Sequence, residues 1–220
     1  MAALYQESES HSQWVHQALI ITKLKHRIVK EPESRVVLMP FINTPIIIDR
    51  CRRWLENPHV RRFLHPNTPW TTDSGRTETY QDFVAFMSKS PHHAYFQIID
   101  NKNDAYRRPN LNYGAIGLAS LNGIDYNALT FNRGIVIGEP HLWHQGIAAE
   151  VGLLLLGLAK SVGFRQAKAT ANVENIASVK NLRRQFGPGK SRYPRPFVAT
   201  QWRGTWEPNS SFAWPESWFC

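Results

Sequence analysis

The segment from Gly146 to Val162 limits most tightly what this chain can fold into. Val151, Leu153, Leu154, Leu155, Leu156 and Leu158 are apolar nearly all the way round a helix that begins near Gly146. Such a helix is stable only when other structure covers it. The apolar run from Val151 to Ala159 is far shorter than the ~20 residues that cross a bilayer. The helix therefore belongs inside a globular body, packed against a sheet.

The residues before it supply that sheet. His93 to Asp100, Tyr113 to Leu121 and Leu129 to Ile137 are strand-like runs in series, separated by a polar loop over 101–110 and a turn over 123–127. Runs of this kind predict an antiparallel meander. Val36 to Met39 predicts an earlier strand. Thr44-Pro45 predicts a helix start, with Thr as N-cap and Pro in the first turn, running to about Asn57, where Pro58 stops it. A further helix is expected from Asp73 or Ser74, with Tyr80, Phe83, Phe86 and Met87 on one face.

After the leucine helix, Ala167 to Val173 reads as a strand, Asn175 to Phe186 as a helix and Phe197 to Thr200 as a last strand. Residues 13–29 have a helical mix of apolar and basic side chains. We treat 1–33 as an N-terminal extension and 34–220 as one domain. Strands first, then a strand–helix–strand–helix passage, predict an α+β (mixed α/β) fold.

Composition closes off other classes. The 220 residues are 42% hydrophobic and 20% charged, an ordinary globular mix with a core that needs no staple. Two cysteines, Cys51 and Cys220, cannot make a disulfide framework or a multi-cysteine zinc module. The first ten residues lack a basic start and an apolar core, so no secretory signal is expected, and a cytoplasmic setting with no membrane contact is the expectation. Lys and Arg number 26 against 17 Asp and Glu, a net charge of +9. That surface favours polyanions without choosing among them.

The chemistry concentrates between Gly134 and Ala149. A strand feeds a short loop, and the loop feeds the buried helix. Gly146 lies at the junction, where free backbone N–H groups and the helix dipole make an anion site. Glycine lets a phosphate approach the backbone, and Ala148 and Ala149 keep the first turn open.

Here the chain resembles a known family. Trp143-His144-Gln145-Gly146-Ile147-Ala148-Ala149-Glu150 is similar to the pyrophosphate loop of the GCN5-related N-acetyltransferases, the GNAT superfamily. A Trp ahead of the glycine resembles the ribosomal-protein N-terminal acetyltransferase branch. Ala171-Asn172-Val173-Glu174-Asn175-Ile176-Ala177-Ser178, followed by Leu182, resembles the next strand and helix of that branch. The resemblance covers roughly 35–187.

It implies a GNAT-like, mostly antiparallel central sheet flanked by helices, with two strands, about 130–137 and 167–173, splayed apart. Acetyl-CoA would be the co-substrate, with no metal. The implied cofactor-binding residues are Ile135, Ile137, Trp143, His144, Gln145, Gly146, Ile147, Ala148, Asn175 and Ser178. The tyrosine that serves as acid in many relatives is Leu182 here, so Ser178 is left as the catalytic proton donor to the leaving thiolate. Asn175 can equally cap its helix. The strand glutamate of many relatives is replaced by Asn132 and Arg133. That leaves Glu139, Asp125, His93, His144 or a water chain as routes for the amine proton.

The implied activity is transfer of an acetyl group to a primary amine, of a protein N-terminus or a small molecule, by a monomer or homodimer. A non-catalytic CoA-binding protein or a basic RNA- or ribosome-docking module are the alternatives. The acceptor wall is expected in parts of 58–75 and 188–206, with Trp70, Tyr193, Trp202 and Trp206. Lys190, Arg192, Arg195 and Arg203 read as its solvated rim rather than a nucleic-acid surface. Gly187-Pro188-Gly189-Lys190-Ser191 lacks the first glycine of a P-loop, since Arg184 stands there. His141 and His144 have no partner pattern for zinc, and no Gly-x-Ser-x-Gly elbow exists.

Overall fold

The leucine helix lies against a seven-stranded sheet with strand order β1-β2-β3-β4-β5-β7-β6. This is a computed structural model. It describes residues 17–64, 89–101, 114–172, 174–186, 190–191 and 199–205, the last two stretches as backbone only.

Helix α1 spans 17–25. Then come β1 (Val36–Pro40), α2 (Pro45–Glu56), α3 (Pro58–Arg61), β2 (Ala94–Asp100), β3 (Ala115–Asp125) and β4 (Thr130–Ile137). After a single 3-10 turn at Pro140–Leu142, the chain forms α4 (Ile147–Ser161), β5 (Gln166–Asn172), α5 (Ile176–Phe186), β6 (Lys190–Ser191) and β7 (Ala199–Thr205). Strands β1 to β4 form the expected antiparallel meander, β4 and β5 pair in parallel, and β7 closes antiparallel on β5. The parallel pair follows from its connection: α4 is the crossover that carries the chain back to the same end of the sheet.

Local signals account for most boundaries. Thr44 caps α2, its hydroxyl accepting from the Ile47 amide at 3.4 Å, with Pro45 in the first turn. The turn after β3 lies later than expected. Asp125 Oδ1 accepts from the amides of Asn127 and Ala128 at 3.0 and 2.9 Å, so the chain reverses over 126–129 and β3 runs on to Asp125. Gly123 is instead absorbed as a strand irregularity at positive φ, where the β3–β4 register slips. The last strand is Ala199–Thr205, longer than the run to Thr200 that side-chain character indicated, because its ladder with β5 continues to Thr205. The expected helix from Asp73 or Ser74 lies outside the described residues, as do Trp70, Tyr193 and Trp206; of Trp202 only the backbone is described.

Two faces of the sheet are packed differently. On one, Leu154, Leu155 and Leu158 of α4 join Phe96, Ile98, Leu121, Phe131 and Ala167 in the main core. Phe131 and Phe164 meet edge to face at 5.3 Å. Helix α1 lies N-terminal to residue 33, and its Ile20 and Leu24 are buried in this same core. Helix α5 packs Val179 and Leu182 against Ala169. On the other face, α2 buries Ile47, Cys51 and Trp54 against Ala115 and Leu118. Burial pushes the Cys51 thiol up to about 12, so it is an inert core group.

Candidate functional site

The parallel pair β4–β5 does not stay paired. Its register runs Thr130 with Gln166, Phe131 with Ala167, Asn132 with Lys168 and Arg133 with Ala169, and stops there. Strand β4 nevertheless continues to Ile137 beside β3, and β5 to Asn172 beside β7. Each strand keeps its outer partner and loses the inner one, so a wedge opens between Gly134–Ile137 and Thr170–Asn172.

Backbone alternation fixes which groups line the wedge. The Gly138 amide donates to Ile116 O at 2.9 Å, toward β3. Residues 135 and 137 therefore direct their N–H and C=O groups the other way, into the wedge. The Ile137 carbonyl accepts from the Trp143 indole at 2.9 Å. The expected residues Ile135 and Ile137 thus present strand-like hydrogen-bonding groups to an open edge.

The loop at the wedge mouth is held from several sides. Gln145 Nε2 donates to His141 O at 2.9 Å, and Gln145 Oε1 accepts from Arg35 Nη1 at 2.9 Å. Arg35 is in turn anchored at 2.7 Å on the fully buried Asp100, a pairing that holds the guanidinium above its usual range. Glu150 Oε1 accepts from the Val36 amide at 3.1 Å and from the Ser34 hydroxyl. These contacts fasten the loop and first turn of α4 to β1. The Gln145 side chain is therefore spent on the loop itself, and the His144 side chain is exposed at a positive φ of 63°.

Gly146 is the N-cap of α4 at φ 80°, and a Cβ there would meet nothing within 4 Å. No side chain caps the helix. The first-turn amides, from Gly146 through Ala148, have no partner within the helix, and they point outward at the positive end of the helix dipole.

Helix α5 closes the other side. Asn175 Oδ1 accepts from the Ser178 amide at 3.1 Å, so Asn175 does cap its helix. That bond uses the Ser178 backbone, not the hydroxyl, and Ser178 is half-buried. Asn181 Nδ2 donates to Ala148 O at 3.3 Å, and Gln185 Nε2 to Ala149 O at 2.8 Å. Gln185 Oε1 accepts from the Arg133 guanidinium, which also lies 5.1 Å from the centre of the Phe186 ring. Burial alone pushes Arg133 down to about 9. Sequence reasoning missed Asn181 and Gln185. Their signal was present: 178, 181 and 185 fall on one helical stripe, which carries polar groups where packing needs none.

Among the described residues, the face opposite α4 carries uncharged side chains near the wedge. Since Phe131, Ile135 and Ile137 pack with the main core, Asn132, Gly134 and Val136 face the α2 side. A Cβ on Gly134 would lie 2.5 Å from Ser120 Oγ and 3.0 Å from Asn122 Nδ2, so those polar groups fill the space its side chain would take. The candidates for taking the amine proton are scattered. Asp125 caps the far turn. His93 Nδ1 sits 2.7 Å from Ser90 Oγ, its ring stacked on Tyr95. Glu139 Oε1 accepts from the Trp54 indole at 3.0 Å, beyond the end of β4.

No group of three metal-ligating side chains occurs among the described residues, and no helix there is long and apolar enough to cross a membrane.

The family profile of the acetyltransferase (GNAT) domain matches residues 35–185. No protein of curated function matches the sequence. Among solved structures, RimL, a ribosomal-protein alpha-N-acetyltransferase in complex with coenzyme A, superposes with TM-score 0.61 at 12% identity, covering 83% of this chain and 100% of that one. A probable GNAT-family acetyltransferase from Chromobacterium violaceum gives 0.58 at 18% identity, over 82% and 86% of the two chains. Spermidine N-acetyltransferase from Vibrio cholerae, in complex with CoA and spermine, gives 0.58 at 14% identity, over 79% and 96%. With the family profile spanning most of the chain and the parted strands and glycine-led helix inside the matched region, this protein belongs to the GNAT acetyltransferase family.

Proposed function

We propose that this acyltransferase moves the acetyl group of acetyl-CoA onto a primary amine, of a protein N-terminus or a small molecule. The observation that carries the reading is the end of the β4–β5 ladder at Arg133 and Ala169, in a strand that leads on to the uncapped start of α4. An open strand edge suits the amide-bearing pantetheine arm, with Ile135 and Ile137 as its partners. The amides of Gly146, Ile147 and Ala148 suit the pyrophosphate, and the Trp143 to Gln145 loop positions them. The CoA held by RimL and by the spermidine acetyltransferase supports the assignment.

In the reaction the amine nitrogen attacks the thioester carbonyl and forms the C–N bond. The C–S bond then breaks, and the thiolate takes a proton. Ser178 is the proposed donor, because its hydroxyl is not used by the helix cap. The strand backbone supplies N–H groups for the oxyanion. With Asn132 and Arg133 in place of a strand carboxylate, the proton released by the amine leaves through water.

The test is acetyl-CoA with a panel of polyamines, aminoglycosides and N-terminal peptides, read by mass spectrometry. A mass gain of one acetyl group on at least one amine is expected. CoA release with no acetylated product would overturn the reading.

A further inference from the structure

Between α2 and the loop after β4 lies a cavity of about 170 Å³, lined by Arg50, Arg53, Trp54, Asn57, Gly138 and Glu139 among others. We propose that this cavity is an anion subsite that holds an acidic side chain of a peptide acceptor, a few residues from its reacting N-terminal amine. The inference rests on the acetyltransferase reading above and names the class of acceptor.

The polar groups left over in the cavity are donors. Arg50 gives Nη1 to Ala115 O at 2.5 Å, and among the described residues no carboxylate pairs with it. A guanidinium has five N–H donors in a fixed fork, so most of its capacity remains. Arg53 pairs with Asp49 at 3.1 Å, but both side chains are well exposed, 61% and 49%. Such a rim pair is weak and yields readily to a better anion. Asn57 uses its side-chain oxygen on the His59 amide at 3.0 Å, which leaves its NH₂ group. Among the described lining residues the acidic group is Glu139, with one oxygen on the Trp54 indole and the other 4.0 Å from His141 Nδ1. Among the described lining residues, two cations therefore face one occupied carboxylate, with Asp49 on the exposed rim outside it.

The wall is rigid. A Cβ on Gly138 would lie 2.2 Å from the Trp54 ring, so the indole rests directly on the backbone there. Trp54 and Glu139 thus hold α2 against the end of β4.

Position selects the kind of acceptor. Helices α4 and α5 cover one face of the sheet, which leaves the α2 face for the amine. The thioester belongs at the closed end of the wedge, near Gly134. Gly138 is four residues further along an extended strand, ~13 Å away at ~3.3 Å per residue. An extended peptide reacting at its amine would bring its third to fifth residues to the cavity.

The experiment uses the full chain, acetyl-CoA, and N-terminal peptides identical except for Glu, Gln or Lys at positions three to five. The Glu peptide is expected to show kcat/KM about fivefold above the Gln peptide, mainly through KM, with the Lys peptide lowest, as for a partly exposed charge contact. Moving the Glu residues to positions six to eight, or adding 0.5 M NaCl, should erase the advantage. Arg53→Glu should reverse the order of the Glu and Lys peptides, and Arg50→Gln should reduce the Glu preference; both should keep the CoA-induced thermal shift. Equal rates for the three peptides, a Lys preference in the parent, or an unchanged preference in Arg53→Glu would overturn the subsite. So would a CoA-induced shift with none of these peptides acetylated. Loss of any CoA shift in the parent, with no amine acetylated, would instead sink the acetyltransferase reading.

Discussion

Arg133 and Ala169 form the last rung that β4 and β5 share. Beyond it the two strands part, and β4 leads on through a short loop to the start of α4. The same Arg133 carries a buried guanidinium into the contact between α4 and α5. The end of the ladder and the clamp on α4 are therefore adjacent features of one strand residue, its backbone and its side chain.

The helix start is the first place to perturb. Gly146 has φ 80° with open space around it, so any L side chain there is penalised by backbone conformation rather than by a clash, at ~1–2 kcal/mol. Gly146→Asn should retain most stability, because Asn tolerates that region. Gly146→Glu should lose stability and place a negative charge where a pyrophosphate would bind. In the parent, CoA at a hundred times its dissociation constant should stabilise by about 2.7 kcal/mol. Differential scanning fluorimetry should show that gain retained in the Asn variant and abolished in the Glu variant. An equal gain in the Glu variant would refute the loop assignment.

Ser178 can be separated from its helix cap. The Asn175 Oδ1 cap bonds to the Ser178 amide, which alanine keeps. Ser178→Ala should therefore preserve the unfolding midpoint and the CoA shift while turnover falls by ~10²-fold. Asn175→Ala should do the opposite in part, lowering stability by ~1 kcal/mol through loss of the cap. Parallel kinetics and urea melts would distinguish them; unchanged turnover in Ser178→Ala would leave the hydroxyl without a catalytic role.

The Arg133–Gln185 contact should behave as a coupled pair. Gln185→Met removes an acceptor from a buried cation and should cost ~1.5–3 kcal/mol. Arg133→Met together with Gln185→Met should cost less than the sum of the single changes, since no buried charge is then left unpartnered. Additive losses in a double-mutant cycle by urea unfolding would show that the two side chains act independently.

Acid should weaken the fold through His93. Burial, then the charges of His92 and Lys25, hold His93 below the ordinary histidine value of 6.5. Between that value and its lowered folded value, the unfolded chain binds more protons than the native one. The contribution to stability is then present above pH 6.5 and lost as pH falls through the folded value. His93→Gln should flatten the acid side of the stability profile in urea melts between pH 7 and 5. An equal slope in parent and variant would exclude His93 as its source.

Several features were legible before any fold was known, and each for a local reason. The Thr44 cap, the leucine helix and the meander follow from side-chain chemistry at fixed spacing. The glycine before α4 was readable because glycine is the residue most at ease at that φ. Local chemistry also misled: Gly123 resembled a turn residue, yet Asp125 supplied the side-chain acceptor that set the turn two residues later.

The sequence by itself determined that a helix apolar nearly all round, led by a glycine, must follow a strand and be buried against a sheet. It also carried, in order, the residues of the loop proposed to bind phosphate. Only the tertiary structure decided where the β4–β5 ladder stops, that Gln185 bridges Arg133 and Ala149, and that Trp54 meets Glu139 across 85 residues of chain. The physical reason is range. Caps, turns and periodicity are satisfied within a few residues, so the local sequence encodes them. Strand parting and cross-sheet contacts depend on which outer neighbours hold each strand, and those neighbours, β3 and β7, are set by the packing of the whole sheet.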